Sequence, residues 1–250
     1  MSRPVAGLDN FADQARRALV DAGLAPPHAG EVSVVMFDTS EWSAFRGDAC
    51  GWLDDEERAR AARFRFDRDR SAYVLAHALW RAVLAVSLER GPREVPLDFL
   101  PSGQPRLPGT SLATSLSHSG PIVLVAAGAV RMLGVDLERW PPRISLDDLL
   151  PAICAPGEAQ VLRALPPGQR ERALLQLWTR KEALLKAFGT GLVQAPAAFV
   201  AVAGEPVRLA SEKDGPPCRV LDLALPADRL GALATSLDMA QYRLLVPVIG

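Results

Sequence analysis

The strongest constraint on the fold of this chain lies between residues 171 and 188, where ten of eighteen residues are apolar and none is glycine or proline. Such a stretch predicts a helix. Its larger apolar side chains share one arc, formed by Leu174, Leu177, Leu184, Leu185 and Phe188. Lys181 falls in the middle of this arc, so its ammonium must be partly desolvated or must reach past the core to a fixed anion. Glu182 and Lys186 lie together at the edge of the arc.

A second segment, residues 133–138, predicts a strand that carries two acids. Val135 and Leu137 face one way in such a strand, while Asp136 and Glu138 face the other. Two carboxylates at this spacing repel each other at close range. A divalent cation between them relieves the repulsion.

Each piece also has an ordinary structural interpretation. Glu182 and Lys186, four residues apart, are compatible with a surface ion pair that stabilises a helix by roughly 0.2–0.5 kcal/mol. Asp136 and Glu138 are equally compatible with the solvated face of an edge strand. Taken together with Lys181 on the apolar arc, the set favours a functional site, because three carboxylates and two lysines suit magnesium-assisted phosphoryl transfer.

Composition narrows the possible classes. A chain of 250 residues with net charge −1 allows one large domain or two small ones and does not suggest a nucleic-acid binder. Three scattered cysteines without CxxC spacing argue against a zinc site or a disulfide framework and fit a reducing cytoplasm. The sequence shows no apolar run of about 20 residues and no signal-like N-terminus, so a cytoplasmic location is expected.

Weak internal similarity at an offset near 100 residues predicts two related α/β halves. The alternating segment 31–38 matches 133–138, the acidic helix start at 54–57 matches 155–158, and Leu-Trp pairs recur at 79–80 and 177–178. The expected division is a first half at residues 31–128 and a second half at 129–250. Residues 1–30 are expected to form an accessory segment with an amphipathic helix.

At these motifs the chain resembles the 4′-phosphopantetheinyl transferases of the long, surfactin-synthetase-activating type. The resemblance rests on residues 134–138 (GVDLE) and 178–187 (WTRKEALLKA). Further matches are residues 62–66 (ARFRF), 76–81 (AHALWR), 103–105 (GQP) and 116–119 (LSHS). They occur in the expected order over about residues 31–203.

The resemblance implies an α+β fold, built as a pseudo-twofold pair of similar α/β halves with the active site in the cleft between them. It also implies the reaction of holo-acyl-carrier-protein synthases. In this reaction a serine of an apo acyl or peptidyl carrier protein takes the 4′-phosphopantetheine arm of coenzyme A, and 3′,5′-ADP is released. The first half would bind coenzyme A, and the second would carry the magnesium and catalytic residues.

The resemblance assigns roles to individual residues. Asp136, Glu138 and Glu182 are expected to bind Mg²⁺, and Asp136, Glu182 and Lys186 to be catalytic, with Glu182 or a water that it orients as general base. Coenzyme A would contact a larger set of residues. This set is Arg60, Arg63, Gly103, Gln104, Pro105, Ser117, His118, Lys181 and Lys186.

Some of these assignments have alternatives. Relatives usually carry lysine in place of Gln104, so one phosphate contact is expected to be weakened or moved. Arg60 and Arg63 fit a solvated helix face nearly as well as a 3′-phosphate site. A serine-hydrolase role for His118 is disfavoured, because neighbours on an extended chain point apart and no nucleophile elbow is present. A plain turn histidine remains an alternative.

The expected partners are carrier domains of fatty acid, polyketide or nonribosomal peptide synthases, and the protein is expected to be a monomer. Six arginines within residues 58–70 offer a surface for an acidic carrier. Two other hypotheses are a coenzyme-A-binding module without turnover and an unrelated magnesium enzyme acting on a pyrophosphate. A nucleotide kinase is disfavoured because the chain has no G-x-x-x-x-G-K-[ST] loop.

Overall fold

A computed structural model describes residues 11–209 and 215–249, which form two similar α/β halves. The helices are α1 Phe11–Asp21, α2 Arg46–Cys50, α3 Asp55–Ala62, α4 Asp67–Leu88, α5 Leu150–Ile153, α6 Pro156–Arg163 and α7 Pro167–Phe188. The strands are β1 Glu31–Asp38, β2 Asp98–Phe99, β3 Pro105–Arg106, β4 Ala113–Ser119, β5 Ile122–Gly128, β6 Leu133–Arg139, β7 Pro206–Val207, β8 Cys218–Asp222, β9 Arg229–Ser236 and β10 Gln241–Leu245.

The two four-stranded sheets repeat one pattern. The first has the order β10-β1-β5-β4 and the second β6-β9-β8-β7, while β2 and β3 form a separate hairpin. In the first sheet β1 pairs antiparallel with β5, and β5 pairs antiparallel with β4. In the second sheet β6 pairs with β9, and β9 with β8, in the same antiparallel way. The α+β fold with two related halves, predicted from the offset and from the resemblance, is therefore confirmed.

The long helices α4 and α7 also correspond. Each has 22 residues, and each is followed by a residue in the left-handed conformation, Glu89 after α4 and Gly189 after α7. Among the described helices, α4 alone is long and apolar enough to cross a membrane. Its apolar window is 72% buried inside the fold, as in the core helix of a globular domain.

Corresponding buried ion pairs fasten these helices to the short helices that precede them. Glu57, at the start of α3, accepts two hydrogen bonds from the guanidinium of Arg81 on α4. Glu158, at the start of α6, accepts one from the ammonium of Lys181 on α7 at 2.5 Å. Both glutamates also accept a hydrogen bond from the backbone N–H of the N-cap residue of their own helix. The two halves therefore share the same local arrangement.

Helix α1 and strand β10, near the two ends of the described residues, both pack in the first half, although the expected division placed them outside it. Strand β10 pairs in parallel with β1, so a strand from the second half of the sequence completes the first sheet. Helix α1 buries Phe11 and Leu19 in the core of the first half, with the Phe11 ring 4.7 Å from that of Trp52. Gly23, in the left-handed conformation, follows the end of α1. The division near residue 128 itself stays a prediction.

Helix α7 lies directly on β6, and Gly134 makes this approach possible. A Cβ atom at Gly134 would lie 2.0 Å from the carbonyl oxygen of Ala183 and 2.6 Å from the amide nitrogen of Ala187. Both obstacles are backbone atoms of α7, so they cannot swing aside as a side chain would. Glycine is therefore required where the helix crosses the strand.

The buried ion pair predicts the effect of Lys181→Met. The ammonium of Lys181 is fully buried, and the change leaves the carboxylate of Glu158 without its cation. The loss is expected to be about 3–5 kcal/mol in the free energy of unfolding, measured by urea denaturation. Arg180→Met, beside it in α7, removes a partly exposed pair with Asp222 and should cost at most about 1 kcal/mol. Equal losses in the two variants would contradict this prediction.

The close contact at Gly134 predicts a steric cost for Gly134→Ala. The added methyl group must push α7 away from β6, so a loss of about 1–3 kcal/mol or more is expected in thermal or urea unfolding. Gly168→Ala, in the first turn of the same helix, is the control, because its Cβ would meet nothing within 4 Å. That variant should be unchanged or up to about 1 kcal/mol more stable. A Gly134→Ala protein as stable as the wild type would refute the steric explanation.

Candidate active site

Asp136 of β6 and Lys186 of α7 form an ion pair at the junction of the two halves. The Lys186 ammonium donates to a carboxylate oxygen (Oδ1) of Asp136 at 2.7 Å and to the carbonyl of Val135 at 3.0 Å. The same Oδ1 accepts a hydrogen bond from the hydroxyl of Ser117 at 2.8 Å. Asp136 is buried, whereas Lys186 is partly exposed, so the pair lies at the edge of the core.

A row of serines on β4 joins the first half to β6. The hydroxyl of Ser115 accepts the N–H of Val135, Ser117 donates to Asp136, and Ser119 donates to Glu138 at 3.1 Å. Side chains alternate along a strand, so residues 115, 117 and 119 share one face. The row fixes the position of β6 against the first half.

The three predicted metal ligands influence one another. Burial and the negative charge of Asp136 raise the pKa of Glu138, and the same two causes, in the same order, raise the pKa of Glu182. Asp136 Oδ2 and Glu182 Oε1 are buried and have no hydrogen-bond partner among the described residues. These two oxygens are acceptors that a cation would satisfy.

The carboxylates do not form a closed metal cage by themselves. Within residues 11–209 and 215–249, no three His, Cys, Asp or Glu side chains converge closely enough to hold an ion without further ligands. This donor set suits Mg²⁺, which usually takes one or two carboxylates and completes its shell with water and substrate phosphate oxygens. Zn²⁺ sites, by contrast, usually include nitrogen or sulfur ligands from His or Cys.

A cavity of about 350 Å³ opens beside Lys186 and is lined from both halves. The predicted residues Arg60, Gly103, Gln104, Pro105 and His118 all contribute to its wall. His118 is accessible within it, and partial burial of the ring together with the nearby Lys186 ammonium lowers the pKa of His118. A neutral imidazole and an ammonium thus face the same space.

Gln104 uses its side chain to bridge the halves. Its amide nitrogen donates to the carbonyl oxygens of Lys186 and Ala187, at 3.3 and 3.2 Å, and so satisfies the last turn of α7. Gly189 leaves room for this contact, because a Cβ there would lie 2.1 Å from the Gln104 amide oxygen. Gln104, at the position where the resemblance led us to expect lysine, therefore braces the helix.

The structure corrects the predicted ligand contact of Lys181. Its ammonium is fully buried and donates to Glu158 and to the carbonyls of Pro196 and Phe199, at 2.9 and 2.8 Å. Burial lowers the pKa of Lys181, and the Glu158 carboxylate opposes this effect. The fixed anion expected from the apolar arc exists, but it is a protein carboxylate, so no donor of Lys181 is left for a phosphate or for Glu182.

Two further predicted contacts are not in the cavity wall. Arg63 is exposed and is absent from the residues that line the cavity, whereas Arg60 is among them. Ser117 is turned toward Asp136 instead. Sequence analysis missed the aromatic part of the wall, formed by Phe64, Tyr73, His77, Trp80 and Phe99. The signal that could have found it was the polar His77 in the otherwise apolar stretch of α4 at residues 74–80.

Comparison with known proteins finds relatives of one family. A model of the 4′-phosphopantetheinyl transferase superfamily matches residues 132–217, which include β6 and α7. The 4′-phosphopantetheinyl transferase HetI of a Nostoc species is 31% identical over 193 residues, which are 76% of this chain and 81% of that protein. A putative 4′-phosphopantetheinyl transferase of a Synechocystis species is 32% identical over 143 residues, 56% of this chain and 58% of that one.

A more distant relative is the 4′-phosphopantetheinyl transferase of Bacillus subtilis. It is 26% identical over 138 residues, which are 55% of this chain and 60% of that protein. The Nostoc protein is matched over most of its length, and the superfamily match falls on the strand and helix that build the acidic site. The chain therefore belongs to the 4′-phosphopantetheinyl transferase family.

Proposed function

We propose that this protein transfers the 4′-phosphopantetheine arm of coenzyme A to a serine of an apo acyl or peptidyl carrier protein. The observation that carries the proposal is the meeting of Asp136, Glu182 and Lys186 beside a cavity that both halves line. A bound diphosphate would find cationic groups on one side and unpaired carboxylate oxygens on the other. The family of the chain supports the same reaction class.

Magnesium fits this site. Asp136 and Glu182 would bind the ion through their two buried oxygens that lack a partner. Glu138 lies two residues beyond Asp136 on β6 and would be the third ligand. When bound, Mg²⁺ neutralises charge on the diphosphate and makes phosphorus more electrophilic. Lys186 donates to Asp136 Oδ1 in the described arrangement, which leaves Oδ2 for the metal, and its ammonium would turn toward the diphosphate when coenzyme A binds.

The residues of the chain supply positioning and charge. Lys186 and His118 would hold the diphosphate in the cavity, and the brace from Gln104 keeps the Lys186 turn in place. The serine oxygen attacks the β-phosphorus, the bond from that phosphorus to the bridging oxygen breaks, and 3′,5′-ADP leaves. Glu182 would take the hydroxyl proton directly or through a water that it orients.

The carrier would dock beside the acidic site. Arg58, Arg60, Arg63, Arg65, Arg68 and Arg70 are all exposed. Some of these charges are compensated locally, since Arg58 pairs with Asp55 and Arg68 with Asp69. An acidic helical carrier of a fatty acid, polyketide or nonribosomal peptide synthase suits this surface. Both halves lie in one chain, which supports a monomeric enzyme. A cytoplasmic location completes the proposal.

Glu182→Ala should abolish transfer while the protein stays folded. The variant removes a buried, unpartnered oxygen rather than a core contact. Apo carrier proteins would be incubated with coenzyme A and Mg²⁺ and then weighed by mass spectrometry. Raised Mg²⁺ should restore part of the activity. Glu171→Ala, on the first part of α7 and away from the site, serves as control and should modify carriers as the wild type does. Full activity of Glu182→Ala at ordinary Mg²⁺ would overturn the proposed function.

Lys186→Met should reduce the rate of transfer far more than the stability. Its ammonium is needed on the diphosphate, so kcat should fall by at least about 100-fold. The melting temperature should fall less than in Lys181→Met, because Lys186 is partly exposed and Asp136 keeps the Ser117 hydroxyl. A fully active variant would show that Lys186 is only an ion-pair partner of Asp136 and does not act on the diphosphate. A large fall in melting temperature with an unchanged rate would have the same meaning.

A further inference from the structure

Strand β6 contacts the first half through serine hydroxyls. Strand β4 is an edge of the first sheet and β6 is an edge of the second, so the two strands belong to different sheets. The hydroxyls of Ser115, Ser117 and Ser119 on β4 bridge the two edges. Their partners follow one another along β6 from Val135 to Arg139. The first half therefore reaches both acids of β6.

Two neighbouring serines of this row bind different groups of β6. Ser117 donates to Oδ1 of Asp136 at 2.8 Å. Ser115, two residues earlier, accepts the backbone N–H of Val135 at 3.1 Å. Both serines are buried and lie on the same face of β4. Loss of either hydroxyl removes one buried hydrogen bond between the halves, but only one of the two bonds ends on a carboxylate.

The hydroxyl of Ser117 is committed to Asp136. A serine hydroxyl has a single proton to donate, and this proton is directed at Oδ1. Ser117 is also absent from the residues that line the cavity beside Lys186. The hydroxyl is therefore placed to orient the carboxylate and not to contact a bound phosphate.

Ser117 and Lys186 share one oxygen of Asp136. The Lys186 ammonium also donates to Oδ1, at 2.7 Å, whereas Oδ2 is buried and has no partner in the part of the chain that the structure describes. When coenzyme A binds, the ammonium would turn toward the diphosphate, and Ser117 would remain as the donor to Oδ1. Because a buried acceptor without a partner costs free energy, the hydroxyl stabilises the state with metal and coenzyme A more than the state without them.

Resting on the proposed function, we propose that Ser117 is a positioning residue for the metal site. Its hydroxyl holds Oδ1 of Asp136 so that Oδ2 faces the cation, and it keeps this hold when Lys186 moves to the diphosphate. Ser117 acts through Asp136 and touches neither the ion nor coenzyme A. Ser119 makes the corresponding contact to Glu138 at 3.1 Å, so the first half orients both acids of β6.

The test measures Mn²⁺ binding by electron paramagnetic resonance, in which the signal of the free ion falls as the ion binds. Mn²⁺ suits the same oxygen ligands as Mg²⁺. Titrations are made with and without saturating coenzyme A, and a blank without protein corrects for Mn²⁺ bound by coenzyme A itself. With coenzyme A, the affinity of Ser117→Ala for Mn²⁺ should fall about tenfold or more, as for other residues that orient metal ligands. Without coenzyme A, Lys186 still donates to Oδ1, so the fall should stay within about threefold.

Ser115→Ala is the matched control, because its hydroxyl contacts the backbone of β6 and no carboxylate. Its affinity for Mn²⁺ should stay within about twofold of the wild type under both conditions. Its melting temperature should fall by about as much as that of Ser117→Ala, since each change removes one buried hydrogen bond.

A calorimetric titration with coenzyme A in the absence of divalent ions separates positioning from direct contact. The affinity of Ser117→Ala for coenzyme A should then lie within about twofold of the wild type, because the hydroxyl does not reach the ligand. A clearly weaker affinity would make Ser117 a ligand contact and would overturn the proposal.

The metal titrations have three further contrary outcomes. An unchanged Mn²⁺ affinity of Ser117→Ala with coenzyme A would overturn the positioning role alone. Equal losses in Ser117→Ala and Ser115→Ala, or equal losses with and without coenzyme A, would show that the serines only support the fold, and would overturn it as well. A wild-type protein that binds no Mn²⁺ even with coenzyme A would refute the metal site of the proposed function, and this role with it.

Discussion

The contact between helix α7 and strand β6 is the constraint on which the rest of the site depends. Gly134 carries no side chain, so the backbone of α7 can lie directly on the strand. This approach brings the ammonium of Lys186 to 2.7 Å from Asp136, two residues further along β6. It also places Glu182 where the charge of Asp136 raises its pKa. A larger residue at position 134 would move Glu182 and Lys186 away from Asp136 and Glu138, although none of these residues would be altered.

The two halves use one framework for different purposes. In each half a glutamate at the start of a short helix caps that helix and pairs with a buried basic residue on the long helix that follows. In the first half the pair is Glu57–Arg81, and the spare oxygen of Glu57 orients His77 toward the cavity. In the second half Lys181 takes the corresponding place and keeps α7 fixed while Glu182 and Lys186 face the junction. The first half thus holds a ligand wall, and the second holds the acidic site.

The local elements of this fold could be predicted from the sequence, whereas several long-range partners could not. The apolar arc predicted that Lys181 would be partly desolvated or would reach past the core to a fixed anion, and the structure shows it fully buried against a protein carboxylate. The sequence could not show that the anion is Glu158, because the partner lies 23 positions away on another helix. The lysine expected at Gln104 suggested a phosphate contact, but the amide reaches carbonyls of α7 that are 82 and 83 positions distant. The pairing of β10 with β1 could not be predicted either, because the sequence pattern of a strand does not show which strand lies beside it.

The central claim is that Asp136 and Glu182 form a metal site that acts on coenzyme A bound between the halves. Anomalous diffraction from crystals grown with Mn²⁺ and coenzyme A tests it most directly. The account predicts an anomalous peak beside Asp136 Oδ2 and Glu182 Oε1, the two buried oxygens without a partner, with the Lys186 ammonium turned from Asp136 to a phosphate. Bound coenzyme A with the metal elsewhere, or with Lys186 still on Asp136, would contradict it.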